Sequence, residues 1–272
     1  MYWDDIQQAI RIYRRLNIGE AIDYSKFYIY SLIAHSTAIE GSTLTELETK
    51  LLLEEGITSN GKPLIHHLMN TDLNNAYQFA VEQAKLKTPV TPELLIAFNT
   101  LVMKSTGSEH HAMGGSFDSS KGEYRKCTVT AGYGGKSYMS YQKIPAEIEL
   151  LCNELKKRMF TLKKAEDIYN LSFDAHLSLV TIHPWVDGNG RTARLLMNYI
   201  QFTHNLIPAK IYAEDKKQYI ASLIESGETK NNVPFRMFMA SQLLKTLNAE
   251  IQQYRKEEKD RKEQHRGSSL LF

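Results

Sequence analysis

With only two cysteines in 272 residues, Cys127 and Cys152, the chain has too few to form a disulfide framework or a zinc ribbon, so both are expected as free thiols. An excess of charge of one sign is also missing. Lys and Arg total 33 against 31 Asp and Glu, a formal net charge of +2, and this balance gives no direct nucleic-acid signal. No apolar run reaches membrane-spanning length, and the opening "MYWDDIQQAI" has acids where a secretory leader needs positive charge. The expected setting is therefore cytoplasmic, with no membrane partner. Repeats at solenoid spacing and low-complexity segments are absent. The pairs His66-His67 and His110-His111 are adjacent and point different ways on a helix, poor geometry for joint metal ligation, so surface or loop histidines are expected.

What is present is a globular composition sufficient for one sizeable core, and it is mostly helical. Apolar residues recur near a 3.6 period in "DIQQAIRIYRRL", "KFYIYSLIAHSTAIE", "LTELETKLLLEE", "LNNAYQFAVEQAKL", "PELLIAFNTLVMKS", "PAEIELLCNELKKRM", "IYNLSFDAHLSLVTI" and "PFRMFMASQLLKTLNAEI". The exception is 122–143, where "RKCTVT" and "KSYMSY" flank "AGYGG" and predict a β-hairpin. Two strands alone are marginal, so this hairpin should lie against something, and its edge could pair with an extended peptide. Beyond residue 250 a charge run predicts a solvated helix end that frays before "LLF".

The densest chemistry lies in "HPWVDGNGRTAR", His183 to Arg194, ahead of the apolar "LLMNYI". This segment predicts a loop opening onto a helix N-terminus. The amides of Gly188, Asn189, Gly190 and Arg191 would be unpaired there, and with the helix dipole they would suit a phosphate. "GNG" alone is an ordinary turn. Arg191 and Arg194 change the reading, since two guanidinium groups on one helix face could clamp successive phosphates. Asp187 is either a helix cap or one carboxylate of a Mg²⁺ site completed by phosphate oxygens and water. His183, restrained towards extended backbone by Pro184, would be a neutral imidazole able to accept a proton from a hydroxyl.

These residues resemble the Fic motif, His-Pro-Phe-x-Asp/Glu-Gly-Asn-Gly-Arg-x-x-Arg, with Trp185 in place of the usual Phe at an aromatic packing position. "GEYRKCTV" and the hairpin after it look like the family's target-binding flap, with Thr130, Tyr133, Tyr138 and Tyr141 as the flap positions that would meet a target. "YIASLIESGETKNNVPFRMFM" resembles the downstream helices, so the resemblance covers roughly 90–245. It implies a mainly α, Fic-type helical bundle with a β-hairpin flap beside the active-site loop. The implied regions are 1–89, a helical region with an inhibitory motif; 90–245, the catalytic core; and 246–272, a charged helix and tail.

The resemblance implies protein adenylylation: AMP passes from ATP, with Mg²⁺ as cofactor, to a Ser, Thr or Tyr hydroxyl of a target protein, this chain itself being one candidate. His183 would be the base, Asp187 the metal ligand, and Gly188, Asn189, Gly190, Arg191 and Arg194 the nucleotide site. Upstream, "STAIEGS" resembles the family's inhibitory motif Ser/Thr-x-x-x-Glu-Gly/Asn at Ser36, Glu40 and Gly41. Gly41 can cap a helix in the left-handed region, and Thr43 with Glu46 predicts a capping box for the next helix. Glu40 would face Arg194, with Ser36 one turn back orienting the carboxylate. Removal of AMP at the same site, a nucleotide-sensing binder without turnover, transfer of another group and an oligomeric state all stay open.

Overall fold

The computed structural model describes the backbone of residues 2–20, 24–130, 135 and 137–268. Among these residues the helices are α1 (Tyr2–Arg15), α2 (Tyr24–Ile39), α3 (Glu46–Glu55), α4 (Leu64–Lys85) and α5 (Pro92–Met103). After a small antiparallel sheet come α6 (Ile144–Arg158), α7 (Ala165–Ile182), α8 (Asn189–Thr203), α9 (Lys216–Thr229) and α10 (Val233–Ser268). The expected mainly helical class holds.

Local chemistry sets the helix starts. Thr91 accepts from the Leu94 amide while Pro92 fills the first turn of α5, where a missing N–H costs nothing. The capping box of α3 forms two residues later than expected, between Thr45 and Glu48 rather than Thr43 and Glu46. Competing partners explain the shift: Glu46 is drawn to His35 of α2 at 2.8 Å, and Thr43 lies 3.1 Å from His66 Nδ1. Gly41, with φ 103°, turns the chain out of α2 in a conformation that other residues rarely adopt.

At the centre lies α8, buried at every position from Arg191 to Gln201. One apolar cluster joins Tyr199 of α8 to Leu73, Tyr77, Phe98, Ile148 and Leu179 of α4, α5, α6 and α7 and to Trp185 of the preceding loop. A second cluster joins α1 to α10 through Ile6, Tyr13, Phe173, Phe235 and Leu243. Because α8 is buried, its polar side chains must be paired inside the protein. Asn198 accordingly accepts from Tyr77 Oη at 2.6 Å and donates to Ala209 O at 2.9 Å, while Asn99 donates to Thr192 at 3.1 Å. α8 is thus tied near its start to α5 and further along to α4 and to the segment at Ala209.

Several expectations need correction. The paired strands are β1 (Glu109–Ala112) and β2 (Gly115–Asp118), upstream of the expected hairpin, with Ala112 opposite Gly115. Their turn needs glycine, since a Cβ on Gly114 would lie 2.5 Å from the Lys126 carbonyl. In the expected segment the pairing narrows to an antiparallel bridge between Thr130 and Ser137, plus a bond from the Tyr138 amide to Val129 O at 3.0 Å. Residues 131–134 and 136, Tyr133 among them, lie outside the described residues. His67 is buried instead of exposed, accepting from the Ser59 amide at 3.0 Å. His110 and His111 lie on β1, and no cluster of metal-ligating residues occurs among the described residues. Both cysteines are free thiols. The charged C-terminal run is helical to Ser268, and no helix among the described residues is long and apolar enough to cross a membrane.

Candidate functional site

His183 ends α7 in the left-handed region (φ 52°, ψ 60°), where extended backbone was expected ahead of Pro184. Its amide still donates to the Leu179 carbonyl at 3.0 Å, so the chain must leave the helix in one residue, and the left-handed cap does this while avoiding the αR conformation that proline disfavours. The imidazole stacks on Tyr138, with ring centroids 3.8 Å apart and planes at 17°. Burial pushes its pKa down to about 4, with the Val180 carbonyl opposing and the Arg125 charge adding to the fall. The ring is therefore neutral at pH 7. Burial, rather than the arginines of the motif, is the larger cause.

Between base and helix, Asn189 braces the loop. Its side chain accepts from the Trp185 amide at 3.0 Å and donates to the Trp185 carbonyl at 2.8 Å. Trp185 itself is fully buried and donates its indole N–H to Gly122 O at 2.9 Å, a bond that the usual Phe could not make. Gly188 (φ 78°) precedes α8, and a Cβ there would lie 2.8 Å from Asn99 Nδ2 and Met103 Sδ. The first amide bonded within α8 is that of Thr192, to the Gly188 carbonyl at 2.9 Å. The amides of Asn189, Gly190 and Arg191 precede it without an intrahelical partner, whereas that of Gly188, the fourth amide expected in the anion cradle, is taken by Asp187 Oδ1 at 2.6 Å.

Asp187 does not cap α8. Its Oδ1 accepts from the neighbouring Gly188 amide at 2.6 Å and lies 3.6 Å from Arg191, while the side chain stays 68% exposed beside the cradle. The two arginines do not form one clamp. Arg191 turns into the core, donating to Val102 O at 3.3 Å and Met103 Sδ at 3.2 Å. Arg194 is held by α2: it donates from Nε to Ser36 Oγ at 2.7 Å, and from Nη2 to Ser36 O at 3.0 Å and Glu40 Oε1 at 2.6 Å. Ser36 thus orients the arginine, not the carboxylate as expected. Burial works against the charge on Glu40, but Arg194 outweighs it and holds the carboxyl below its usual range.

The carboxylate also rests on the cradle. A Cβ at Gly190 would lie 2.3 Å from Glu40 Oε1, so a side chain there would push the carboxylate off the cradle. Glu40 sits at the unfavourable dipole end of α2 yet meets the favourable end of α8. Around the same turn lie buried polar atoms with no hydrogen-bond partner: Arg191 Nε, Arg194 Nη1 and Asn99 Oδ1. Folded proteins leave few such atoms, and a group of them at one helix start, donors included, fits a polar, anionic ligand.

Of the flap positions, Tyr138 covers His183, Thr130 pairs with Ser137, and Tyr141 packs partly buried against the core. The sequence reading missed Arg125. It is buried and donates to His183 O at 2.8 Å, Cys127 O at 2.6 Å and Met139 O at 2.7 Å, while its own amide donates to Pro184 O at 3.0 Å. In "GEYRKC" it looked like one more cation of a charged stretch.

Comparison with known proteins matches residues 89–201 to the Fic/DOC family. The chain is 28% identical over 223 residues to the protein adenylyltransferase Fic of Drosophila grimshawi, covering 79% of this chain and 41% of that one. It is 29% identical over 222 residues to the Nematostella vectensis protein of the same name, covering 80% and 47%. The chain therefore spans less than half the length of these curated relatives. Its fold is similar to a Fic-domain-containing signalling protein from Bacteroides thetaiotaomicron, with TM-score 0.76 and 23% identity over 92% of this chain and 97% of that one. It is also similar to Fic-1 from C. elegans, with TM-score 0.72 and 20% identity over 94% and 73%. His183 and the start of α8 thus both lie within the segment 89–201 that matches the Fic/DOC family.

Proposed function

We propose that this chain is a protein adenylyltransferase that moves AMP from Mg-ATP to a hydroxyl side chain of a protein, and that Glu40 holds it inhibited. The observation that carries the reading is the Glu40 carboxylate, bound to Arg194 at 2.6 Å and seated against Gly190 where a phosphate would otherwise lie. The names of the curated relatives support the same activity. In the transfer, neutral His183 accepts the proton as the target hydroxyl oxygen bonds to the α-phosphorus and the bond to pyrophosphate breaks. The amides at the start of α8 face the phosphate charge, and Arg194, once released by Glu40, binds the outer phosphates.

Mg²⁺ fits the residues present. Asp187 offers an exposed carboxylate beside the cradle and would hold the ion with phosphate oxygens and water. When bound, the ion neutralises phosphate charge. Arg191, 3.6 Å from Asp187, orients that carboxylate from below. The bridged flap offers main-chain edges that would pair with an extended target segment, the chain itself included.

Labelling with α-labelled and γ-labelled ATP tests the reaction class. Label on protein from the α position alone is the expected result. Label from the γ position means phosphotransfer and removes the proposal. Binding of ATP without label, in wild type and Glu40→Gly alike, leaves a nucleotide-sensing protein instead.

A further inference from the structure

The buried guanidinium of Arg125 ties together parts of the chain that are far apart in sequence. Its donors reach His183 O at 2.8 Å, at the base, Cys127 O at 2.6 Å, on one arm of the flap, and Met139 O at 2.7 Å, on the other. Between those arms lie the Thr130–Ser137 bridge and the bond from the Tyr138 amide to Val129 O at 3.0 Å. No carboxylate pairs with Arg125 among the described residues, and burial pulls its pKa down, so the cation is bought at a desolvation cost offset by its carbonyl partners. Lysine could not reproduce this arrangement: its ammonium is a point donor, whereas the planar fork reaches several acceptors in fixed directions.

We propose that Arg125 is a positioning residue that sets the gap between the flap's target-pairing edge and the base, so that a target paired to the flap presents its hydroxyl at His183. The inference rests on the transfer reading for its catalytic consequence, but not for the coupling itself. Register along a paired strand is fixed by main-chain bonds, and a small displacement of nucleophile from base lowers the rate sharply without changing nucleotide affinity. Arg125 touches neither reactant; it acts through the His183 and Met139 carbonyls.

Arg125→Lys and Arg125→Met, each made in the full chain with Glu40→Gly, test this. Amide hydrogen exchange by NMR reads the Tyr138 amide and the amide of residue 125, with α8 amides as the control for global loosening. Self-labelling from α-labelled ATP reads the rate at saturating Mg-ATP and the half-saturating ATP concentration. We expect at least tenfold faster exchange at the two flap amides in both variants, with α8 unchanged. We also expect an approximately tenfold or greater fall in labelling rate, with half-saturation within twofold. Exchange in Arg125→Lys at the parent rate would overturn the coupling, because charge without the fork would then suffice. Faster exchange with an unchanged labelling rate would overturn its role in positioning. If the Glu40→Gly parent does not label at all, the transfer reading fails separately, and exchange at Tyr138 still decides whether Arg125 couples flap to loop.

Discussion

The loop from His183 to Gly188 and the flap that faces it are both short and irregular, yet they are held by different means. In the loop, side chains brace the backbone: Asn189 bonds both main-chain groups of Trp185, and the Trp185 indole reaches Gly122 O at 2.9 Å. Across the flap the described main-chain pairing is a bridge and the Tyr138 bond, and its ties to the rest include the Arg125 guanidinium and the stacking of Tyr138 on His183. The contrast suits a site in which reacting groups must stay within a fraction of an ångström while the docking edge receives different sequences. On the proposed transfer reading, chemistry is built into the loop and recognition is left to backbone.

Substitutions at the loop should therefore cost more than those around it. The largest effect is expected at His183. His183→Ala should lower AMP transfer about a hundredfold or more while ATP binding, followed by calorimetry, changes little. Comparable transfer by the variant would show that the imidazole is not the base. The same residue sets the pH response. Its folded pKa of about 4 lies below the ordinary value, so the neutral base persists down to about pH 4, and the acid limb of the rate profile should lie near there rather than near 6.5. By linkage, the stability that His183 contributes is full above its unfolded pKa and is lost as pH falls through the folded value.

Structural braces come next. Asn189→Ala leaves the Trp185 amide and carbonyl buried and unpaired, so denaturant unfolding should show a loss of about 2–6 kcal/mol, each orphaned group costing about 1–3 kcal/mol. Trp185→Phe removes the indole bond to Gly122 O, and about 1–2 kcal/mol is expected. If Trp185→Phe cost more than Asn189→Ala, the loop would be held by ring packing rather than by the Asn189 bonds, and the contrast with the flap would have to be redrawn.

The same contrast governs what could be read in advance. The helices, the cradle at the start of α8 and the Gly41 turn were legible because each rests on local rules: 3.6 periodicity, unpaired first amides and a left-handed glycine. The partner of Glu40 followed from a resemblance, and the structure shows that a side chain at Gly190 would displace the Glu40 carboxylate. What stayed hidden depends on distant contacts. Arg125 has carbonyl partners as far off as His183, with no spacing rule to reveal them. Arg191 and Arg194 share a helix face in sequence, but Met103 and Ser36 draw them to different places. The strands at Glu109–Ala112 and Gly115–Asp118 lack β-branched residues, leaving only the Gly-Gly turn as a signal.

Inhibition by Glu40 is tested most directly by labelling with α-labelled Mg-ATP, comparing wild type, Glu40→Gly and Glu40→Gly with Arg194→Ala at equal protein concentration. Glu40→Gly frees the guanidinium and clears the cradle at Gly190, so about tenfold or more labelling over wild type is expected, a charge-assisted bond being worth about 1.5–3 kcal/mol. Adding Arg194→Ala should erase that gain, since both changes act on one side chain. Glu40→Gly that stays folded but labels no more than wild type would contradict inhibition by Glu40. If it instead lost the removal of AMP from a pre-modified target, Glu40 would serve hydrolysis.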